Sequence, residues 1–236
     1  MENLYRCYMT GVARVFKALR GLDYALYKFR KPVEHVSVDI DILVRYEHLL
    51  KSVKALVDMG FRVEVLELYT VTMVIGETIV DLCTHPSFAW VMCLDDDRLL
   101  EEVEIIELDS VGVEVRAMSR EAEAVATVAH VVYEEHVYLL SDYYVVREWF
   151  NRRVLSLARK LIVENAVEAA LKLDEEVEKG LVKAPVKLSP AQVAVTLVWK
   201  FVEDPGFRAT VVNTPRLVAR RRIVQQLIWK IMRKTY

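Results

Sequence analysis

The periodicity of this chain changes at Ser119, and that change constrains its fold more than any other feature. Before it, short β-branched runs alternate with turn signals; after it, apolar residues return every three or four positions. Two early segments demand antiparallel pairs. "YTVTMVIGETIVDLCTH" predicts a hairpin turning at Gly76–Glu77, and "EIIELDSVGVEVRAM" a second, turning at Asp109–Gly112. "HVSVDIDILV" and "FRVEVLEL" predict further strands.

Helices are expected over 3–19, where Leu4, Tyr8, Val12, Val15 and Leu19 recur, and over "YEHLLKSVKALVDMG", closed by Gly60. "LDYALYKF" reads as a short helix after Gly21, and "LDDDRLLEEV" as another with acids at its start. From Ser119, a capping residue, one helix is expected through "SREAEAVATVAHVVYEEHVYLL". One or two follow in 142–180, "GLVKAPVKL" is a linker, Ser189–Pro190 opens another helix, and a last one follows Pro215. The class expected is α+β: a mixed sheet with flanking helices over 1–117, then an all-helical domain over 118–236.

At 236 residues and 54% hydrophobic, the chain can bury a substantial core. No stretch approaches the roughly 18 apolar residues of a membrane span, and no signal-peptide pattern is visible. Three unpaired-looking cysteines suit a reducing cytoplasm. Scarce Gln and Asn with abundant Val, Glu and Arg lean towards a thermophile. The net charge of −2 conceals an asymmetry: no acid follows Asp204, while eight Lys and Arg do. On a helical wheel of that tail Leu217, Val224, Ile228 and Ile231 share one side, and Arg222, Gln226, Lys230 and Arg233 the other. Arg222, Lys230 and Arg233 are therefore candidate contacts to nucleic-acid phosphates, with a plain solvated face as the alternative.

Asp39 and Asp41 interrupt an apolar strand one residue apart, so their side chains share a face, with Val38, Ile40 and Ile42 on the other. Carboxylates that close repel, and one pKa rises unless a cation neutralises them. A divalent metal with oxygen ligands would do so. Asp81 interrupts a second run, Ile79-Val80-Leu82, and adjacent strands would bring it to the same site. No P-loop, nucleophile elbow or dinucleotide fingerprint is present.

With these motifs in hand, residues 15–90 resemble the nucleotidyltransferase superfamily of polymerase-β-type fold, near its AbiEii-type branch. The matching features are Arg20-Gly21 for a turn before a helix, "DIDILV" for the metal strand, "DMGF" for the following helix end and "VDLCTH" for the third-acid strand. "MSREAEAVATVAHVVYEEH" resembles the branch's helical segment; residues after 150 are not covered. The resemblance implies that Asp39, Asp41 and Asp81 bind Mg²⁺ (or Mn²⁺). The implied reaction moves a nucleotidyl group from a nucleoside triphosphate such as ATP to a hydroxyl, with an RNA or tRNA acceptor suiting the basic tail. Where the superfamily usually has Gly-Ser, this chain has Gly21-Leu22, without the hydroxyl that grips phosphate. Backbone N–H groups there, with Arg20, Lys28 and Arg30, would take its place, and His85 would border the nucleotide. The other reading is a non-catalytic nucleotide- or RNA-binding module, which the branch would also allow to be half of a toxin–antitoxin pair.

Cys83, His85, Cys93 and His130 match no common zinc spacing. His130 and Glu134 share a helical stripe, which reads as packing with a polar side framing the cleft; the resemblance puts His130 or Asp142 near substrate.

Overall fold

The computed structural model describes residues 2–33, 35–88, 90–108 and 111–218. Helix α1 (Glu2–Ala18) leads into strands β1 (Tyr24–Leu26) and β2 (Ile40–Val44), then helix α2 (Leu49–Asp58). Strands β3 (Arg62–Leu66), β4 (Thr70–Ile75) and β5 (Thr78–Cys83) follow, then the short β6 (Ser87–Phe88) and β7 (Val91–Met92). Helix α3 (Asp96–Leu100) precedes the hairpin of β8 (Val103–Leu108) and β9 (Val113–Met118). Beyond it come α4 (Arg120–His130), β10 (Val137–Tyr138), α5 (Leu140–Trp149), α6 (Arg152–Lys160) and α7 (Glu164–Glu178). The last described elements are β11 (Val186–Lys187), α8 (Pro190–Glu203) and α9 (Pro205–Val218).

Seven strands form one mixed sheet in the order β3-β4-β5-β2-β1-β9-β8. The two hairpins supply the antiparallel pairs β4·β5 and β8·β9, as their turn residues predict. β2 runs parallel to β5, and β1 parallel to β9. The fold is thus α+β, with a mixed sheet, flanking helices and a helical region after β9. None of the described helices is long and apolar enough to cross a membrane.

The strand period of two sorts side chains into two cores. Ile40, Ile42 and Val44 of β2, Val80 and Leu82 of β5, and Tyr24 and Leu26 of β1 pack under Val12, Val15, Phe16 and Leu19 of α1 and Leu56 of α2. Leu43, Ala25 and Tyr27 face the opposite way, into the apolar cluster built by α4 to α7. Asp41 and Asp81 share the parity of Leu43 and Cys83, so both carboxylates look towards the helical layer.

Local capping follows the sequence. Ser119 Oγ accepts from Ala122 N–H, and Ser189 forms a reciprocal capping box with Gln192 ahead of Pro190. Gly60, at φ +94°, ends α2 where a Cβ would be strained.

Four expectations need correction. "LDYALYKF" is not a helix: residues 24–26 form the strand β1, bonded to β2 on one side and β9 on the other. Tyr24, Ala25, Leu26 and Tyr27 are all buried, which suits a central strand and not a surface helix. The run from Ser119 to Leu140 is not one helix. After α4, residues Val131–Glu135 widen to a π turn, and His136 at φ +57° ends it before β10. Three helices, not one or two, fill 140–178, separated by the Asn151 cap and by Ile162 at φ +54°. Pro215 lies inside α9 and does not start a helix.

Candidate active site

Strand β2 begins at Ile40, so Asp39 stands just before it and Asp41 inside it. The parallel pairing of β2 with β5 sets Asp41 directly opposite Asp81. One oxygen from each of Asp39, Asp41 and Asp81 falls within 4.8 Å of the others. The structure therefore brings together the three carboxylates that the sequence singled out. Among the described residues, Cys83, His85, Cys93 and His130 do not form such a group.

Each acid has its own support. Ser37 Oγ donates to Asp39 Oδ1 at 3.2 Å. Thr72, opposite Asp81 on β4, donates its hydroxyl to Asp81 Oδ1 at 2.5 Å. Lys28 Nζ lies 3.1 Å from Asp41 Oδ2. Burial lifts the Asp41 pKa to about 6; Lys28 opposes the rise, and Asp39 and Asp81 add to it. The repulsion expected from sequence is present, but desolvation is the larger cause.

An octahedral Mg²⁺ sits about 2.1 Å from each oxygen, so opposed ligands lie roughly 4.2 Å apart. Carboxylate oxygens within 4.8 Å of one another need only a small inward movement to share one ion. Asp39, Asp41 and Asp81 therefore fit a hard divalent cation, and their all-oxygen donor set favours Mg²⁺ or Mn²⁺ over zinc.

The segment after β1 forms the wall of this site. Lys28 takes φ +54°, a left-handed conformation uncommon outside glycine. The next two N–H groups, of Phe29 and Arg30, both donate to Glu123 Oε1 at 3.0 and 3.1 Å. Glu123, on α4, is fully buried, and its Oε2 has no hydrogen-bond partner among the described residues. Burial raises its pKa to about 7, against the two N–H bonds and the nearby Arg30 and Lys31 charges. Arg30 pairs with Glu104 and donates to the Met118 carbonyl at 3.0 Å. Lys31 reaches Asp142 of α5 at 3.1 Å. Lys28, Arg30 and Lys31 are thus each tied to a carboxylate.

The helical layer adds two polar groups. Glu134, on the π turn, pairs with His130 Nδ1 at 2.6 Å, and its charge reaches Lys28 and Tyr27. Widened helical turns recur at functional sites because they turn a side chain off the helix's regular stripe. The shared stripe of His130 and Glu134 is thus a hydrogen-bonded pair whose carboxylate charge reaches Lys28. Tyr8 of α1 stacks on Phe29, with ring centroids 6.3 Å apart. Burial, with the charges of Asp41 and Asp39, raises its phenol above the usual range.

No family model matches this chain, and no curated protein matches it. Among solved structures, it is similar to the solution structure of the antibiotic-resistance factor ANT(2'')-Ia. That likeness has 18% identity, covers 73% of this chain and 93% of the other, and has a TM-score of 0.34. A likeness so remote assigns no chemistry.

Not every expected site residue joins the acids. Arg20 and Gly21 precede β1 at its far end, where Tyr24 pairs with Val44 and the Asp23 carbonyl accepts from Arg45 N–H. The four-residue advance from Tyr24 to Lys28 carries the chain ~13 Å along the strand direction. Gly21 opens no helix, so no helix N-terminus stands there to bind phosphate. His85 lies past the end of β5, its Nδ1 2.5 Å from Asp96 Oδ1 and its ring edge-on to Tyr69. That end of the sheet is closed by ion pairs: Arg45 with Asp23 and Asp97, and Arg116 with Asp23. Arg222, Lys230 and Arg233 lie outside the described residues. Glu123 was missed by sequence reasoning, since an acid in the first turn of a helix normally faces water.

Proposed function

We propose that this chain is a divalent-cation-dependent nucleotidyltransferase, moving a nucleotidyl group from a nucleoside triphosphate to a hydroxyl acceptor. The observation that carries the reading is the convergence on one point of Asp41 and Asp81, from paired parallel strands, with Asp39 just before the first. Three acids so close are costly without a cation, and the sheet register fixes them there.

The residues divide the work. Asp39, Asp41 and Asp81 hold the cation and set its place relative to the sheet. Bound Mg²⁺ lowers the pKa of a coordinated hydroxyl and neutralises charge on transferring phosphates. In the reaction the acceptor oxygen bonds to the α-phosphorus, the bond from that phosphorus to the bridging oxygen breaks, pyrophosphate leaves with the electron pair, and the hydroxyl proton passes to solvent water. Thr72 and Ser37 keep Asp81 and Asp39 aimed. RNA or tRNA is the acceptor class that the acid-free, arginine-rich tail favours.

One observation supports a second reading, a non-catalytic nucleotide- or RNA-binding module. Lys28 at Asp41, and Arg30 and Lys31 next along the chain, already have carboxylate partners, and Glu123 occupies the N–H groups of the adjoining loop. A triphosphate would have to displace one of them.

The test incubates the full chain with labelled nucleoside triphosphates, Mg²⁺ and total RNA, beside an Asp39→Ala/Asp41→Ala variant. Label transferred by the parent and not by the variant is the expected outcome; equal signal from both overturns the enzymatic reading. Calorimetry with nucleotide or RNA, with and without Mg²⁺, separates the module: binding without metal dependence and without transfer favours it.

A further inference from the structure

We infer that Lys28 is a built-in second cation of the carboxylate site, so that the site holds one divalent ion where a two-metal site would hold two. The inference rests on the proposed cation-binding role of Asp39, Asp41 and Asp81.

Geometry is the first support. In a two-metal site the ions stand about 3.5–4 Å apart and share carboxylates, each ion taking its own oxygen of the shared group. Asp41 has two oxygens, and Lys28 Nζ sits 3.1 Å from Oδ2. With one oxygen engaged by the ammonium, one remains for a metal. The ammonium takes the Asp41 oxygen that a second ion would need.

The placement is built into the fold and is not that of a surface lysine caught by chance. Its ammonium-bearing side chain is 21% exposed and the Asp41 side chain 13%. The backbone at Lys28 holds φ +54°, and a conformation of that kind persists only where the surroundings enforce it. Those surroundings are specific: the Tyr27 N–H donates to the Asp41 carbonyl on one side, and the Phe29 and Arg30 N–H groups are held by the buried Glu123 on the other. Arg30 and Lys31 then anchor the loop to two separate elements, β8 and α5. The loop cannot swing Lys28 away without breaking these contacts.

Charge is the second support. Three carboxylates carry three negative charges; one ammonium and one divalent ion balance them. A second divalent ion beside Lys28 would leave a net positive cluster in a part-buried site, where charge is poorly screened.

The experiment counts ions with Mn²⁺ alone, by calorimetry and electron paramagnetic resonance on the full chain. The parent should bind one Mn²⁺ with an isolated-ion signal. Lys28→Met should bind two with a spin-coupled signal, and Lys28→Gly, which accepts the positive φ without strain, should match it. Lys28→Arg should stay at one. Two ions in the parent, or one in both Lys28→Met and Lys28→Gly, overturns the inference while leaving the cation site itself intact. No ion in the parent, with Asp39→Ala indistinguishable from it, overturns the underlying reading instead.

Discussion

Asp41 on β2 and Asp81 on β5 stand directly opposite one another across a parallel strand pair. The relationship is a consequence of register: Ile40 pairs with Val80 and Ile42 with Leu82, and these apolar neighbours are buried on the other face. A one-residue slip would turn both acids into the α1·α2 core, so the hydrophobic pattern that fixes the sheet also fixes the site.

Asp81→Asn keeps the size and the Thr72 contact while removing the charge. Loss of one charged ligand is worth several kcal/mol of transition-state stabilisation, or roughly a 10²–10³-fold fall in rate. Nucleotidyl transfer measured with saturating Mg²⁺ should show it, with circular dichroism unchanged.

Thr72→Val removes the hydroxyl that donates to Asp81 Oδ1 but preserves the strand's shape. Groups that orient a metal ligand typically contribute 10- to 100-fold in affinity. Mn²⁺ titration should show a weakening in about that range, and Thr72→Ser should restore most of it.

Glu123 predicts a pH dependence of stability. Its folded pKa is about 7, raised from 4.5 mainly by burial. A raised carboxylate binds its proton more tightly folded than unfolded, so its stabilising contribution is complete below pH 4.5 and lost as pH rises through 7. The size is on the order of 3 kcal/mol. Urea denaturation between about pH 4.5 and 8 should show stability falling with pH, with a visibly flatter profile in Glu123→Gln. An unchanged slope in that variant would exclude Glu123 as the source.

Lys200 is fully buried and donates to the carbonyls of Leu161 and Ile162 at 3.1 and 2.8 Å while pairing with Asp204 at 2.7 Å. It therefore satisfies the C-terminal end of α6 from α8. Lys200→Met leaves those acceptors buried and should cost about 3 kcal/mol in urea denaturation. Lys179→Met, at the exposed Glu175 pair, should change stability by less than about 0.5 kcal/mol.

The hairpins, the Ser119 and Ser189 caps, the Gly60 terminus and the acid trio were legible because each rests on local chemistry: turn residues, a capping hydroxyl, a side-chain period of two. β1 was not. Its three residues have little strand signal of their own and are strands because β2 and β9 bond them from both sides. Misreading Leu22–Phe29 as a helix also misplaced the phosphate turn at Arg20–Gly21, at the far end of the strand from Asp41.

The sequence by itself determined that Asp39 and Asp41 share a face and that Asp81 belongs to a hairpin strand able to join them, since alternation along a strand is a property of the backbone alone. Only the tertiary structure decided that Lys28 stands beside Asp41 and that Glu123 holds the loop between them. Those contacts join residues as far apart as Phe29 and Glu123, and such pairings are set by how strands and helices pack, which no local pattern encodes.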